Sequence, residues 1–95
     1  MKFTDIIKLL DKHKIRYTDI DIAISIRHGL LHTDYTDNEF EALCTYAKRI
    51  IDFYNVTAES IGRYMDEMLE DITIDELLKI DIGDFAYGAS KYMDW

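Results

Sequence analysis

Histidine and cysteine are the side chains of this sequence most often found in metal sites. His28 and His32 lie four residues apart, a spacing that presents two metal ligands on one face of a helix. However, Gly29 lies between them where a helix is expected to end, and no third ligand has a matching pattern. Cys44 falls on the apolar face of another predicted helix, where cysteine packs as a small hydrophobic residue. We therefore expect no metal site.

Acid–base and nucleophilic catalysis also have little support. A catalytic pair of carboxylates needs surroundings that separate the two pKa values, and most carboxylates here fall on predicted polar helix faces. Asp34 could pair with His28 or His32, but no nucleophile is marked beside them. Gly83 and Gly88 do not fit the glycine-rich fingerprint of a dinucleotide-binding loop. We expect a protein that is not an enzyme and uses no cofactor.

Negative charge is the strongest chemical feature of the chain, and it is unevenly distributed. The 95 residues carry a formal net charge of −8. Residues 1–33 hold six basic and four acidic side chains, a net of +2, and residues 34–95 hold five and fifteen, a net of −10. Residues 66–84 contain eight carboxylates and a single basic residue, Lys79. Such a field repels nucleic acid and anionic lipid, so we expect neither as a direct partner.

Within this stretch, acidic residues follow one another at helical spacing. Asp66 with Glu70, and Glu67 with Asp71, are like charges four residues apart, which destabilises a helix by about 0.2–0.5 kcal/mol per pair. A solvated surface that keeps the protein soluble is one explanation. The alternative is that these carboxylates imitate phosphates and occupy the basic groove of a nucleic-acid-handling protein. We take this second explanation as the leading functional prediction.

Aromatic residues near the end of the sequence add a second type of contact. Phe85, Tyr92 and Met93 fit the apolar face of a helix, whereas Tyr87 and Trp95 fit it less well. Tyrosine and tryptophan are enriched in interface hot spots, so these last two are predicted to contact a partner. The complete predicted partner-binding set is Glu59, Asp66, Glu67, Glu70, Asp71, Asp75, Glu76, Tyr87 and Trp95.

The elements that position these residues are predicted to be helices. A threonine that precedes an apolar run can cap the first amides of a helix. Such threonines are Thr4, Thr18, Thr36, Thr57 and Thr73. Thr36 with Glu39, and Thr73 with Glu76, form complete capping boxes. Apolar periodicity predicts helices over about 5–13, 37–54, 58–70, 74–79 and 84–93.

Segment 18–28 is ambiguous. Isoleucine occupies every second position of residues 20–26, which is the pattern of a strand. Yet Thr18 precedes the segment and Gly29 follows it, where a helix would have its cap and its stop. We favour a helix for this segment.

The predicted fold is therefore all-α, a compact bundle of five or six short helices in one domain over residues 1–95. The alternative is an α+β fold with a short two-stranded pairing between 20–26 and 79–82. The single cysteine, the absence of a signal-peptide pattern and the absence of a membrane-length apolar run are the basis for expecting a cytoplasmic protein.

Two other functions stay open on the sequence. The aromatic end could pack against a second copy of the chain, which would make the protein a structural or assembly subunit or a homodimerisation module. Residues 4–28 could form a helix-turn-helix that binds DNA. Asp19 and Asp21 would then lie at the leading end of the second helix, where carboxylates oppose phosphates.

Residues 34–43, DYTDNEFEAL, resemble the helix-entry segment of the colicin and pyocin nuclease immunity proteins. Those proteins are acidic four-helix domains of similar length that block nuclease toxins. The paired tyrosines followed by proline that mark the family are absent from this chain, which contains no proline. The resemblance implies that a small acidic helical domain can act by binding a basic partner, as phage-encoded inhibitors of host defence also do, and it assigns no site residue.

Overall fold

The computed structural model describes residues 4–5 and 17–93, and its longer elements are all helices. Within these residues the helices are α1 (Tyr17–Gly29), α2 (Asp37–Phe53), α3 (Ala58–Met68), α4 (Ile74–Leu78) and α5 (Ile82–Ser90). The described part of the chain contains no strand, so the all-α prediction is confirmed and the alternative pairing of 20–26 with 79–82 is wrong. The helix predicted over 5–13 falls almost entirely outside the described residues, as does Trp95.

Threonine caps begin three of the helices, as predicted. The Thr36 hydroxyl accepts a hydrogen bond from the Glu39 amide at 3.1 Å, and the Glu39 carboxylate accepts one from the Thr36 amide at 2.8 Å. Thr73 and Glu76 form the same reciprocal pair at 3.2 and 3.1 Å. Thr57 caps α3 through its hydroxyl. Each cap satisfies amides that a helix start leaves unpaired, and is worth about 1 kcal/mol.

Two predicted helix starts differ in the structure. Helix α1 is described from Tyr17 onward, so Thr18 lies inside the helix and does not precede it. Helix α5 begins at Ile82, two residues before the predicted start at 84, because Asp81 caps it. The Asp81 carboxylate accepts a hydrogen bond from the Gly83 amide at 2.9 Å, and a short acidic side chain is among the best helix caps.

One apolar core lies between the helices. Helix α2 contributes the longest buried face, and Leu43, Cys44, Ala47 and Ile50 are fully buried on it. Helix α1, the ambiguous segment, buries Ile22, Ala23 and Ile26, and Leu30 directly after it is also buried, whereas Ile24 is 38% exposed. Burial at three- and four-residue spacing is the pattern of a helix packed on one side.

Helices α1 and α3 cross at very short range because glycine lies at the crossing. A Cβ atom on Gly29 would lie 2.6 Å from the Gly62 carbonyl oxygen, and one on Gly62 would collide with the Ser25 carbonyl oxygen. No described glycine has a positive φ, so Gly29 ends α1 without a left-handed conformation. Its lack of a side chain serves the crossing instead.

Candidate partner-binding site

An open groove of about 800 Å³ runs beside the crossing of α1 and α3. Its α1 wall includes Asp21, Ile24 and His28, and its α3 wall includes Glu59 and Asp66. Three carboxylates line the groove against one arginine, Arg63, so the lining has a net negative charge. The crossing at Gly62 produces this concavity because two helices that touch closely at one point must diverge on either side of it.

The structure divides the predicted acidic residues into two groups. Glu59 and Asp66 face the groove, and Asp66 is half-buried there. The second group, which we call the acidic edge, is exposed around the end of α3 and the start of α4 and consists of Glu67, Glu70, Asp71 and Asp75. The separation follows from the helical repeat, because adjacent residues of α3 point about 100° apart.

The chain turns tightly through the acidic edge. The Glu70 amide donates to the Glu67 carbonyl oxygen at 3.3 Å, and the Ile72 amide donates to the Met68 carbonyl oxygen at 3.0 Å. These bonds continue the helical path for one turn beyond α3 and hold the backbone that carries the carboxylates. The Thr73 cap then starts α4 directly, so the edge stands on ordered backbone at both ends.

Glu76 belongs to the predicted set but has a structural role. Its carboxylate accepts hydrogen bonds from the Thr73 amide and the Thr73 hydroxyl, both at 3.1 Å. These bonds favour the ionised form and lower the pKa of Glu76 from its ordinary value. A substitution at Glu76 would therefore alter the start of α4 together with any binding.

Unlike Glu76, the carboxylates of the acidic edge cap no helix through a side-chain hydrogen bond among the described residues. Elsewhere, Asp19 lies 3.7 Å from the Lys48 ammonium, and Glu41 accepts a hydrogen bond from the Thr4 amide at 2.6 Å. Within residues 4–5 and 17–93, no carboxylate of the acidic edge accepts a hydrogen bond or forms an ion pair. Their charges are turned to solvent and are available to a partner.

The aromatic residues singled out by the sequence also fall into a packed group and an exposed group. Phe85 is buried, 4.8 Å from the Tyr64 ring centroid, and Tyr92 packs on Tyr64 at 5.5 Å. Tyr87 is 71% exposed, and the Lys91 ammonium lies 4.9 Å from its ring centroid. Tyr87 is thus accessible as the prediction requires, whereas Trp95 lies outside the described residues.

Sequence reasoning missed two exposed apolar residues. Phe53 and Leu31 are 72% and 68% exposed. Phe53 is the last residue of α2, and Leu31 lies two residues beyond Gly29 at the end of α1. Neither position falls on the apolar face of the preceding helix, so the helical periodicity could have predicted that both side chains are exposed.

The histidines and the cysteine that the sequence singled out differ in their burial. His28 and His32 are exposed, and no group of three metal-binding side chains occurs in the described ranges. Cys44 is buried as predicted, and burial, with a smaller effect of Glu41, raises the pKa of its thiol far above the ordinary value. A thiol held neutral in this way is a poor nucleophile.

Comparisons with protein-family models, with curated proteins and with solved structures find no match to this chain. No helix among the described residues combines the length and the apolar character needed to cross a lipid bilayer.

Proposed function

We propose that this protein is a non-enzymatic acidic binding domain that inhibits or regulates a basic, nucleic-acid-handling protein. The supporting observation is the acidic edge, four exposed carboxylates without internal partners on ordered backbone. Carboxylates held in place can replace the phosphates that a basic groove otherwise binds. The proposal assigns the primary contact to this edge, with Tyr87 as an additional aromatic contact.

The physical basis is electrostatic complementarity. A patch of one sign raises the association rate with an oppositely charged partner and disfavours partners of the same charge. Glu67 and Asp71 carry like charges four residues apart in the sequence, and a cationic partner would offset any repulsion between them. The interaction should weaken strongly with salt, because exposed charges are screened over about 10 Å at 0.1 M ionic strength.

The test uses two variants that remove the same amount of charge from different surfaces. The edge variant carries Glu67→Gln, Glu70→Gln, Asp71→Asn and Asp75→Asn. The control variant neutralises four other exposed carboxylates, Asp34, Asp37, Asp52 and Asp84, each changed to Asn. Equal net charge in the two variants separates an effect of location from an effect of total charge.

Partners are captured on the immobilised native chain, eluted with a salt gradient and identified, and their affinities for both variants are then measured. We expect a basic nucleic-acid-binding partner that nucleic acid displaces. Its affinity should fall at least about tenfold with the edge variant and less than about threefold with the control. The proposal would be refuted by partners whose affinity does not change with salt concentration, or by equal losses of affinity with the two variants.

A homodimeric assembly subunit is a second candidate, favoured by the exposure of Phe53 and Tyr87. Aromatic side chains bury large areas at interfaces, and contacts of this type persist at high salt. Light scattering across a salt series distinguishes the candidates. A dimer that persists at high salt and dissociates when both residues are changed to serine would support self-assembly, and a monomer at all salt concentrations would exclude it.

A further inference from the structure

We propose that the groove between α1 and α3 receives a short, basic, amphipathic helix of the partner. This inference rests on the proposed function and specifies the form of the partner segment. It concerns a surface separate from the acidic edge, so the two can be tested independently.

The size of the groove fits a helix better than a single side chain. The residues that line the groove of about 800 Å³ run from Asp21 to Gly29 on one wall and from Thr57 to Asp66 on the other. At 1.5 Å of rise per residue, each wall is about 12–14 Å long. A partner helix of two to three turns would match this length.

The charge of the groove favours a basic occupant. Asp21, Glu59 and Asp66 line it, and the one arginine in its lining is Arg63. The Arg63 guanidinium donates a hydrogen bond to the Tyr92 carbonyl oxygen at 3.3 Å, so it is directed in part toward the end of α5. Arginine or lysine side chains on the flanks of a partner helix would complement the three carboxylates.

The groove also offers apolar surface, which makes an amphipathic occupant the better match. Ile24 lines the groove and also a neighbouring hollow of about 240 Å³ that Leu31 borders. These two side chains are 38% and 68% exposed. An amphipathic helix places its apolar face in such a groove and its charged residues along the rim.

The test uses a synthetic peptide of about 14 residues, with leucine at helical spacing and arginine on both flanks of the leucine stripe. One control peptide has the same composition in scrambled order, and another has glutamate in place of arginine. Binding is measured by fluorescence anisotropy, and the site is mapped from the shifts of backbone amide resonances.

The groove variant carries Asp21→Asn, Glu59→Gln and Asp66→Asn, and a second variant carries Ile24→Ser and Leu31→Ser. We expect the patterned peptide to shift resonances of α1 and α3 and to bind at least about tenfold more tightly than the scrambled peptide. The groove variant should weaken binding about tenfold and the serine variant at least about threefold, whereas the edge variant should change it less than about threefold. Thermal melts confirm that each variant is folded.

Equal binding of the scrambled peptide would overturn the inference, because charge attraction without helical pattern would then explain the interaction. Shifts confined to the acidic edge would also overturn it. Binding of the captured natural partner distinguishes failure of the groove inference from failure of the proposed function. If the edge variant alone weakens that partner, the function stands and the groove inference fails; if neither variant does, both fail.

Discussion

The contact region between α2 and α5, which we call the α2–α5 side, has a hydrogen-bonded polar group, whereas the polar groups of the acidic edge are unpaired. On the α2–α5 side, the Tyr46 hydroxyl donates a hydrogen bond to the Ile80 carbonyl oxygen at 2.7 Å, and the Tyr46 ring packs edge-on against Phe85. On the acidic edge, four exposed carboxylates lie between residues 67 and 75 and have no hydrogen-bond or ion-pair partner within the described residues. Paired and packed groups stabilise a fold, whereas unpaired surface charge adds little stability. The comparison indicates that the first region maintains the fold, whereas the acidic edge displays unpaired charge at the surface.

The largest expected effect comes from the centre of the aromatic packing. Phe85→Ala should lower the free energy of unfolding by about 3–5 kcal/mol, because it removes a fully buried ring and leaves a cavity. Tyr87→Ala, on the exposed side of the same helix, is the matched control and should change it by less than about 0.5 kcal/mol. Urea denaturation measures both values. Similar losses in the two variants would show that Tyr87 is part of the core.

The next effect concerns the α1–α3 crossing that shapes the groove. Gly62→Ala should destabilise the protein by about 2 kcal/mol, because the new methyl group meets the backbone oxygen of Ser25, which cannot rotate away. Gly83→Ala is the control, since its Cβ would lie 2.8 Å from the Tyr54 hydroxyl, the end of a side chain that can move. We expect denaturant midpoints that differ clearly between the two variants. A neutral Gly62→Ala would contradict the close crossing.

A smaller effect is expected at the Tyr46 hydroxyl. Tyr46→Phe should cost about 1 kcal/mol, because it removes one hydrogen bond and leaves the Ile80 carbonyl oxygen without that donor. Urea denaturation of the native protein and of the variant at neutral pH measures the difference in the free energy of unfolding. An unchanged midpoint would mean that water replaces the phenol at no cost.

The same residue predicts a pH dependence. Burial, followed by the negative charge of Asp81, raises the pKa of Tyr46 above its ordinary value of 10.0. The folded protein therefore holds this proton more tightly than the unfolded chain. This contribution is complete below pH 10 and is lost as the pH rises toward the folded-state pKa. The native protein should lose stability above about pH 10 more steeply than Tyr46→Phe does, and parallel profiles would contradict the assignment.

The smallest effect on stability, and the sharpest test of the comparison, is expected at the acidic edge. Removing the like-charge repulsion with the edge variant should leave stability unchanged or raise it by up to about 1 kcal/mol. The same variant should lose partner affinity at least about tenfold. A large loss of stability would mean that these carboxylates have a structural role and would remove the distinction between the two regions.

Helix starts were the most predictable part of the fold. The Thr36 and Thr73 capping boxes were recognisable because the hydrogen-bonded groups lie three residues apart, so the sequence contains the whole interaction. The conformation of 18–28 was less certain. Alternating isoleucine favours a strand, whereas Gly29 after the segment favours a helix. Ala23 and Leu30 are buried in the folded protein, and this packing against distant segments is a long-range effect.

The site was predictable in composition but only partly in arrangement. The surplus of carboxylates around the end of α3 was evident from the residues alone. Their separation into different groups was not evident from the sequence. Asp66 faces a groove whose other wall is α1, and the carboxylate of Glu76 caps α4. The groove itself depends on Gly29 and Gly62, which are distant in sequence and meet only in the fold.

The amino-acid order thus determined the helical class, most helix starts and the sign and placement of the charge, because each depends on residues a few positions apart. Packing between distant segments decided which isoleucines are buried, how closely α1 approaches α3 and where the groove opens. Those properties depend on side-chain volumes and backbone distances that exist only after the helices assemble.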